Sequence, residues 1–501
     1  MAQSVSIPVP IGGWDTRQAL SMMDPTHAVI LDNWFPGTAK LTLRKGNTSY
    51  ATGMAGSIES LIPYVPLTGA GKLFAANGGN IFDISSSGAV GSAVVSGMTN
   101  ARWQHVNIGT AAGQFLLAFN GADVPRTYNG SSWSTFGGTG PTVANLIWCN
   151  LHQRRLWFGE EDSLSAWYLA TNAITGTATE FPLHGIARKG GFLMAMGTWT
   201  RDSGAGMDDV AVFLTSEGEA IIYVGTDPSA AATWELIGVF RIGKPIGRRC
   251  MVQGGSDLIL VTQDGFVPLS GILSTDRSQA RLVALSDQIN EAVNVAVTRY
   301  GSVYGWQPIV YAQGTMLIFN IPKSATESIQ YIFNTITGAP CRFTGINAVC
   351  FGPLEDDMYW GGNDGVVYKF DDGTSDNGTE IEADAVPAFS YFGLPDLSKL
   401  FKLAEPIFES DGNPNPAVDV NTDFQVAAPT GLPGPSSVGS AIWGSSTWGS
   451  GTWGSEGQIY RGWRGVRGVG RAGSVRIRLS SSVARPSWIS TNLTFVIGGQ
   501  I

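Results

Sequence analysis

The stretch VAVFLTSEGEAIIYVG, residues 210–225, decides how the chain is read. An apolar run ending at Thr215 enters a Ser-Glu-Gly turn, and a second apolar run follows from Ala220. Two short apolar runs around a glycine turn signal a β-hairpin, because glycine takes the positive φ that tight hairpin turns require. The unit recurs as LFAANGGNIFDI (73–84), FLLAFNG (115–121) ahead of RTYNG, and RRLWFGEEDSLSAWYL (154–169). It returns as LILVTQDGFVPLSG (258–271), MLIFNIPKSATESIQYIF (316–333) and MYWGGNDGVVYKF (358–370). Seven units thus stand about 40–60 residues apart, near the ~40–50-residue repeat of propeller blades. The spacing predicts a β-propeller of about seven blades, with six and eight as the neighbouring counts. One blade cannot bury both of its faces, so the ring must close. A strand from the segment before residue 70 is expected to complete the last blade.

Composition agrees with an all-β chain. Among 501 residues there are 65 glycines, 25 prolines and 16 tryptophans, and only 14% are charged. Glycine and proline at this level suit many short strands joined by tight turns. Three regions are expected: an N-terminal segment (1–57) that packs on a platform and enters the ring, the propeller (58–392), and a C-terminal β-sandwich-like platform (393–501). Within the first region, Asp24-Pro25 opens a turn, residues 26–33 read as a short helical piece, and Leu41 and Leu43 mark a strand. LSDQINEAVNVAV (285–297) reads as a helix, with Ser286 as its cap and Leu285, Ile289, Val293 and Val297 on one face.

The platform region has unusual chemistry. Trp443, Trp448 and Trp453 recur every five residues, each followed by Gly-Ser, and Arg461, Arg464, Arg467 and Arg471 follow among glycines. Rigid aromatics on a flexible tether suit insertion into a neighbour, since Trp and Arg dominate binding hot spots. The plain alternative is that these tryptophans cap their own core and the arginines form a solvated face. Charge divides sharply here: residues 371–423 hold 12 acidic residues against Lys399 and Lys402, whereas 459–501 hold seven arginines and no acid. The two halves are expected to pair, either within one sandwich or across subunits.

Other signals exclude function classes. Cys149, Cys250, Cys341 and Cys350 form no C-x-x-C pair and read as buried free thiols. The N-terminus MAQSVSIPVPIGGW lacks the basic and apolar regions of a secretory signal, and no run of about 18 apolar residues suggests a membrane span. A net charge of −9 argues against a general nucleic-acid binder and suits a surface past which nucleic acid moves without sticking. GVGRAG (468–473) is followed by a Val/Ile/Leu strand where a dinucleotide site needs a helix, and Pro245 breaks a P-loop-like run at 238–244. His27, His105, His152 and His184 are scattered, and the acids of DDGTSDNGTE (371–380) miss calcium-loop spacing. No catalytic constellation, cofactor site or metal site is expected.

GGWDTRQALSMMDPTHAVILDNWFPGTAKLTLRKG (12–46) resembles the N-terminal signature of tail nozzle proteins of short-tailed bacteriophages, also called tail tubular protein B or packaged-DNA stabilisation proteins. FNGADVPRTYNGSSW, FPLHGIARKGG, KLFKLAEPIFESDG, the Trp repeats and the RGVGRAGSVRIRLSSS ending are similar to the same group, so the likeness spans nearly the whole chain in order. The resemblance implies a virion structural protein, made in the host cytoplasm, that is not an enzyme. It further implies a homohexameric ring in the podovirus tail, docked to an adaptor ring and in contact with a tail fibre or spike. Genome DNA is retained behind such a ring and passes through it on ejection. An acidic, sparsely charged wall suits that role, because each Lys or Arg contact to phosphate adds salt-dependent affinity. The competing reading is a propeller-based carbohydrate-binding adhesin or glycosidase, for which Glu160, Glu161 and Asp162, or Asp356 and Asp357, are the available carboxylates. A third is a cytoplasmic scaffold propeller, which leaves the Trp-Gly-Ser repeat unexplained.

Overall fold

The computed structural model describes residues 2–202, 207–274, 284–438 and 457–500. Its strands assemble into a seven-bladed β-propeller joined to a β-sandwich platform. The core strands of each blade pair antiparallel. The strands that open the seven blades are Ile58–Tyr64, Gln104–Thr110, Leu146–His152, Leu193–Asp202, Met251–Gly254, Gln307–Tyr311 and Cys350–Leu354. Each blade touches the next, and Cys350–Leu354 returns to touch Ile58–Tyr64. The hairpin at 210–225 pairs Phe213 with Ile221 across a turn in which Gly218 takes φ +79°.

Blade 7 is completed from the other end of the chain. Asn47–Thr52 pairs antiparallel with Val367–Phe370, so an N-terminal strand closes the ring as expected. The contact between blades 7 and 1 is close enough to need glycine. A Cβ on Gly352 would lie 2.6 Å from the Leu61 Cβ, and one on Gly361 would lie 2.6 Å from the Ile58 Cβ. Between other blades the filler is aromatic. Trp157 stacks on Trp234 at 5.7 Å and Tyr223 stacks on the same indole at 5.6 Å, filling the seam between blades 3 and 4.

The platform is two packed sheets. One contains Ile381–Pro387, Gly473–Ser481 and Ala417–Thr422, and it is continuous with blade 6 through the strand His27–Asp32. The other is built on Leu397–Ser410 and Ser487–Gln500, flanked by Ala2–Pro8, Leu41–Leu43, Gln458–Arg461 and Arg464–Gly470. Val475, Ile477 and Leu479 from the first meet Phe401, Phe408, Trp488 and Phe495 from the second in one core, with Trp34 between them. Burial of these alternating faces is the main driving term, at roughly 25 cal/mol per Å² of apolar surface.

Five expectations need correction. Residues 26–33 are not helical: His27–Asp32 is a strand, its Ala28 and Leu31 fully buried where it links blade 6 to the platform. The strand Ile381–Pro387, placed with the ring by the sequence reading, pairs with Gly473–Ser481 in the platform. The helix runs Asn290–Tyr300, preceded by a 3-10 turn at Asp287–Ile289, and Ser286 does not cap it. The Ser286 hydroxyl instead accepts the Phe266 backbone N–H at 3.0 Å. Ile289 and Val293 are buried in the helix seam as expected, while Leu285 is exposed.

Candidate interface on the platform

Strand Leu397–Ser410 alternates across the platform's second sheet, with a bulge between Phe401 and Leu403. Phe401, Ala404 and Phe408 enter the core, which leaves Leu400 and Leu403 on the opposite face, 37% and 40% exposed. On the neighbouring strands Val469 is 63% exposed and Ile459 58%, and Trp463, in the connection between those strands, is 48% exposed. Leu400 lies opposite Val469, and Leu403 opposite Gly465. Five large apolar side chains on three adjoining strands and the connection between two of them form a patch of the kind that marks a partner surface.

Of the sequence-selected arginines, Arg461, Arg464 and Arg467 sit on these strands and Arg471 in the turn that follows. Arg464 donates from Nη2 to the Asn415 side-chain oxygen at 2.9 Å. Arg461, Arg467 and Arg471 are exposed, and their guanidinium groups have no partner among the described residues. Their backbones are held: Arg467 N–H donates to Asp419 at 3.2 Å and Arg471 N–H to Asp423 at 2.8 Å. Trp443, Trp448 and Trp453 lie outside the described residues.

The opposite charges of the two platform halves meet within the chain. Arg476 pairs through Nε and Nη2 with both oxygens of Asp384, the Nε contact at 2.9 Å, and Arg478 lies 3.8 Å from Glu382. The acids of 371–376 serve the ring seam. Asp376 pairs with the buried Arg44, Asp371 with Lys45 at 3.0 Å, and Asp372 accepts the Thr48 hydroxyl at 2.6 Å. Those contacts pin the N-terminal segment to blade 7, a role that turn composition alone did not signal.

The remaining candidates separate in space. Glu160 accepts the Thr142 N–H at 2.6 Å, Glu161 and Asp162 occupy an exposed turn, and Asp357 is ion-paired with Lys369 at 2.6 Å. His27 lies 3.1 Å from the buried Asp15. His105 and His152 are both pushed down to about 4, chiefly by burial. Burial raises all four thiols, Cys250 to about 12 and Cys350 to about 11, and none forms a disulfide. Among the described residues no group of three or more His, Cys, Asp or Glu is placed to hold a metal, and no helix is long and apolar enough to cross a membrane.

No family model and no curated protein matches the chain. Among the solved structures that align with the chain are the following three. BBS1N, crystallised in complex with ARL6DN, aligns with TM-score 0.42 and 9% identity over 66% of this chain and 97% of its own. The computationally designed protein Ika8 aligns with TM-score 0.37 and 8% identity over 64% and 99%. A quinonprotein alcohol dehydrogenase-like protein from Bacteroides thetaiotaomicron aligns with TM-score 0.35 and 12% identity over 62% and 68%. None is close enough to carry an inference about activity.

Proposed function

We propose that the chain is a structural protein of a short-tailed bacteriophage virion, six copies of which form a nozzle ring that retains packaged DNA and conducts it during ejection. Its partners are further copies of itself, the adaptor ring, a tail fibre or spike, and genome DNA in transit. The observation that carries the reading is the platform face. Leu400, Leu403, Ile459, Trp463 and Val469 are exposed together beside three arginines whose guanidinium groups have no partner among the described residues, and Ile459, Trp463 and Val469 follow shortly after the Trp-Gly-Ser repeat in sequence. A lone chain gains nothing from that arrangement, whereas a subunit contact uses both the apolar area and the arginines. The ordered resemblance of the sequence to tail nozzle proteins supports the same reading, as does the acidic net charge of −9. No enzymatic activity is part of the proposal.

The deciding experiment is native mass spectrometry with electron-microscope class averages, on the chain alone and mixed with virion adaptor rings. A six-fold ring with a central hole supports the proposal. Monomers that ignore virion components overturn it.

A second reading, a carbohydrate-binding propeller, draws on a polar cleft of about 530 Å³ between blade 7 and the platform. Trp360, stacked on Tyr368 at 4.3 Å, borders it with Asn347, Asn363 and Asp364. Glycan-array binding that disappears in Asn363→Ala would favour this reading.

A further inference from the structure

The axis of the propeller is not an empty tube. Side chains from all seven blades converge there around a cavity of about 200 Å³, and Arg248 and Arg249 enter it from the loop ahead of blade 5. Arg249 reaches across the axis, where its Nη2 donates to Glu59 O at 3.1 Å, Ser60 Oγ at 2.7 Å and Trp103 O at 3.1 Å, in blades 1 and 2. Arg248 turns the other way, and its Nη1 donates to Leu193 O at 2.9 Å and Met194 O at 3.3 Å in blade 4. At one mouth of the axis a second cavity of about 350 Å³ shares both arginines and adds Arg102.

Three guanidinium groups therefore border one opening in a chain of net charge −9. Arg102 lies 4.5 Å from the Tyr304 ring centroid and Arg249 lies 5.5 Å from the same centroid. Compensation is thin. Arg102 bonds Glu59 at 3.1 Å through Nε alone, and neither Arg248 nor Arg249 has a carboxylate within ion-pair distance among the described residues. Glu161 is the one acid on the lining of the mouth. Burial holds the Arg248 guanidinium below its usual value. Arg248 also lies 4.9 Å from the Phe192 ring centroid. A partly desolvated charge that meets carbonyls, a hydroxyl and aromatic faces but no carboxylate is costly, and an arriving anion relieves that cost.

Donors remain for such an anion. Each guanidinium offers five N–H groups in a planar fork. Among the described residues Arg248 hydrogen-bonds through Nη1 alone, Arg249 through Nη2 alone, and Arg102 through Nε alone. The unused nitrogens of Arg248 and Arg249 are not sealed in the core. Free forks beside water-accessible space match the geometry of phosphate and carboxylate oxygens.

We propose that this axial mouth is a binding site for a compact oxyanion, a phosphate or carboxylate group, held by Arg102, Arg248 and Arg249 beside Tyr304. The inference is independent of the nozzle reading, because it concerns the propeller of a single chain. Inorganic phosphate is the probe, titrated into the full-length chain by calorimetry at ionic strength held constant with chloride. Saturable binding is expected, with affinity reduced about tenfold or more in Arg102→Gln, whose side chain is half exposed. Arg248→Lys, which keeps the charge and loses the fork, is expected to weaken binding while the melting temperature stays near that of the parent. Absence of saturable binding, or equal binding by Arg102→Gln, overturns the site. Competition with a short oligonucleotide at matched phosphate concentration identifies the source: displacement assigns the site to nucleic-acid phosphate, and no displacement to a free anion.

Discussion

Arg44 and Asp376, 332 residues apart, form a two-pronged ion pair at the seam where the ring closes. Nη1 of Arg44 donates to Asp376 Oδ1 at 2.8 Å and Nη2 faces Oδ2, while Nε donates to Asn33 at 2.9 Å. The Arg44 side chain is 1% exposed. Removing one partner of such a pair strands the other, at about 3–5 kcal/mol. Arg44→Ala is therefore expected to lower unfolding free energy by that order, read by urea denaturation. Arg44→Ala combined with Asp376→Ala should be less destabilised than the sum of the two single variants.

Closure by the N-terminal strand has its own test. Ala51 is fully buried in the core shared by blades 7 and 1, with Ile58, Val367 and Tyr359 around it. Ala51→Asp places a carboxylate among apolar groups without a partner, and a loss of several kcal/mol is expected. The seam should open first, so limited proteolysis should cut near the blade 7 strands before the rest of the ring. Uniform cleavage along the chain would count against a closure role for this strand.

Acid should weaken the ring through its histidines. His152 is 1% exposed, its Nδ1 bonds Thr198 Oγ1 at 3.2 Å, and its Nε2 is buried with no acceptor. Burial pushes it down from 6.5 to about 4, against a smaller opposing pull from Asp209. The unfolded chain then binds a proton that the folded one refuses. The stability from neutral His152 is full above about pH 6.5 and is lost progressively as pH falls toward 4, by at most about 3 kcal/mol at about 1.4 kcal/mol per pH unit. His105 adds a loss of the same sign. Melting temperature should drop across that window, and His152→Phe should flatten the slope. An unchanged slope would remove His152 from the account.

The platform face is tested without disturbing the monomer. Leu403 is 40% exposed, so Leu403→Glu should shift monomer stability by no more than about 0.5 kcal/mol. Ring assembly should weaken at least about tenfold, because a charge would replace apolar contact area at the interface. Arg467→Glu is expected to act in the same direction. Replacing Trp443, Trp448 and Trp453 together by Ala should also weaken assembly and leave β content intact by circular dichroism. Assembly that survives all three changes would place the subunit contact elsewhere.

The repeated hairpins are legible in the sequence by themselves. An apolar run, a glycine turn and a second apolar run are local facts, and seven of them match the seven blades because a hairpin's pairing is fixed within a few residues. The need for a closing strand also follows locally, since an unpaired blade edge must find a partner. Pairings between distant residues were decided only by tertiary structure. Residues 26–33, after the turn at Asp24-Pro25, read as a short helical piece. They became a strand because the edge of blade 6 lies open beside Ile381–Pro387, and tertiary pairing overrides weak propensity. Ser286 has the composition of a cap, yet its hydroxyl accepts the Phe266 backbone N–H from a neighbouring strand instead. The surplus of acid at 371–423 and of arginine beyond 459 was visible, but whether they paired within one chain depended on Gly473–Ser481 lying beside Ile381–Pro387. Arg248 and Arg249 are two adjacent charges in a loop, with nothing in their spacing to separate them from a solvated turn. Ring closure alone brings the opening strands of seven blades around them, and long-range convergence of that kind leaves no periodic trace in a chain.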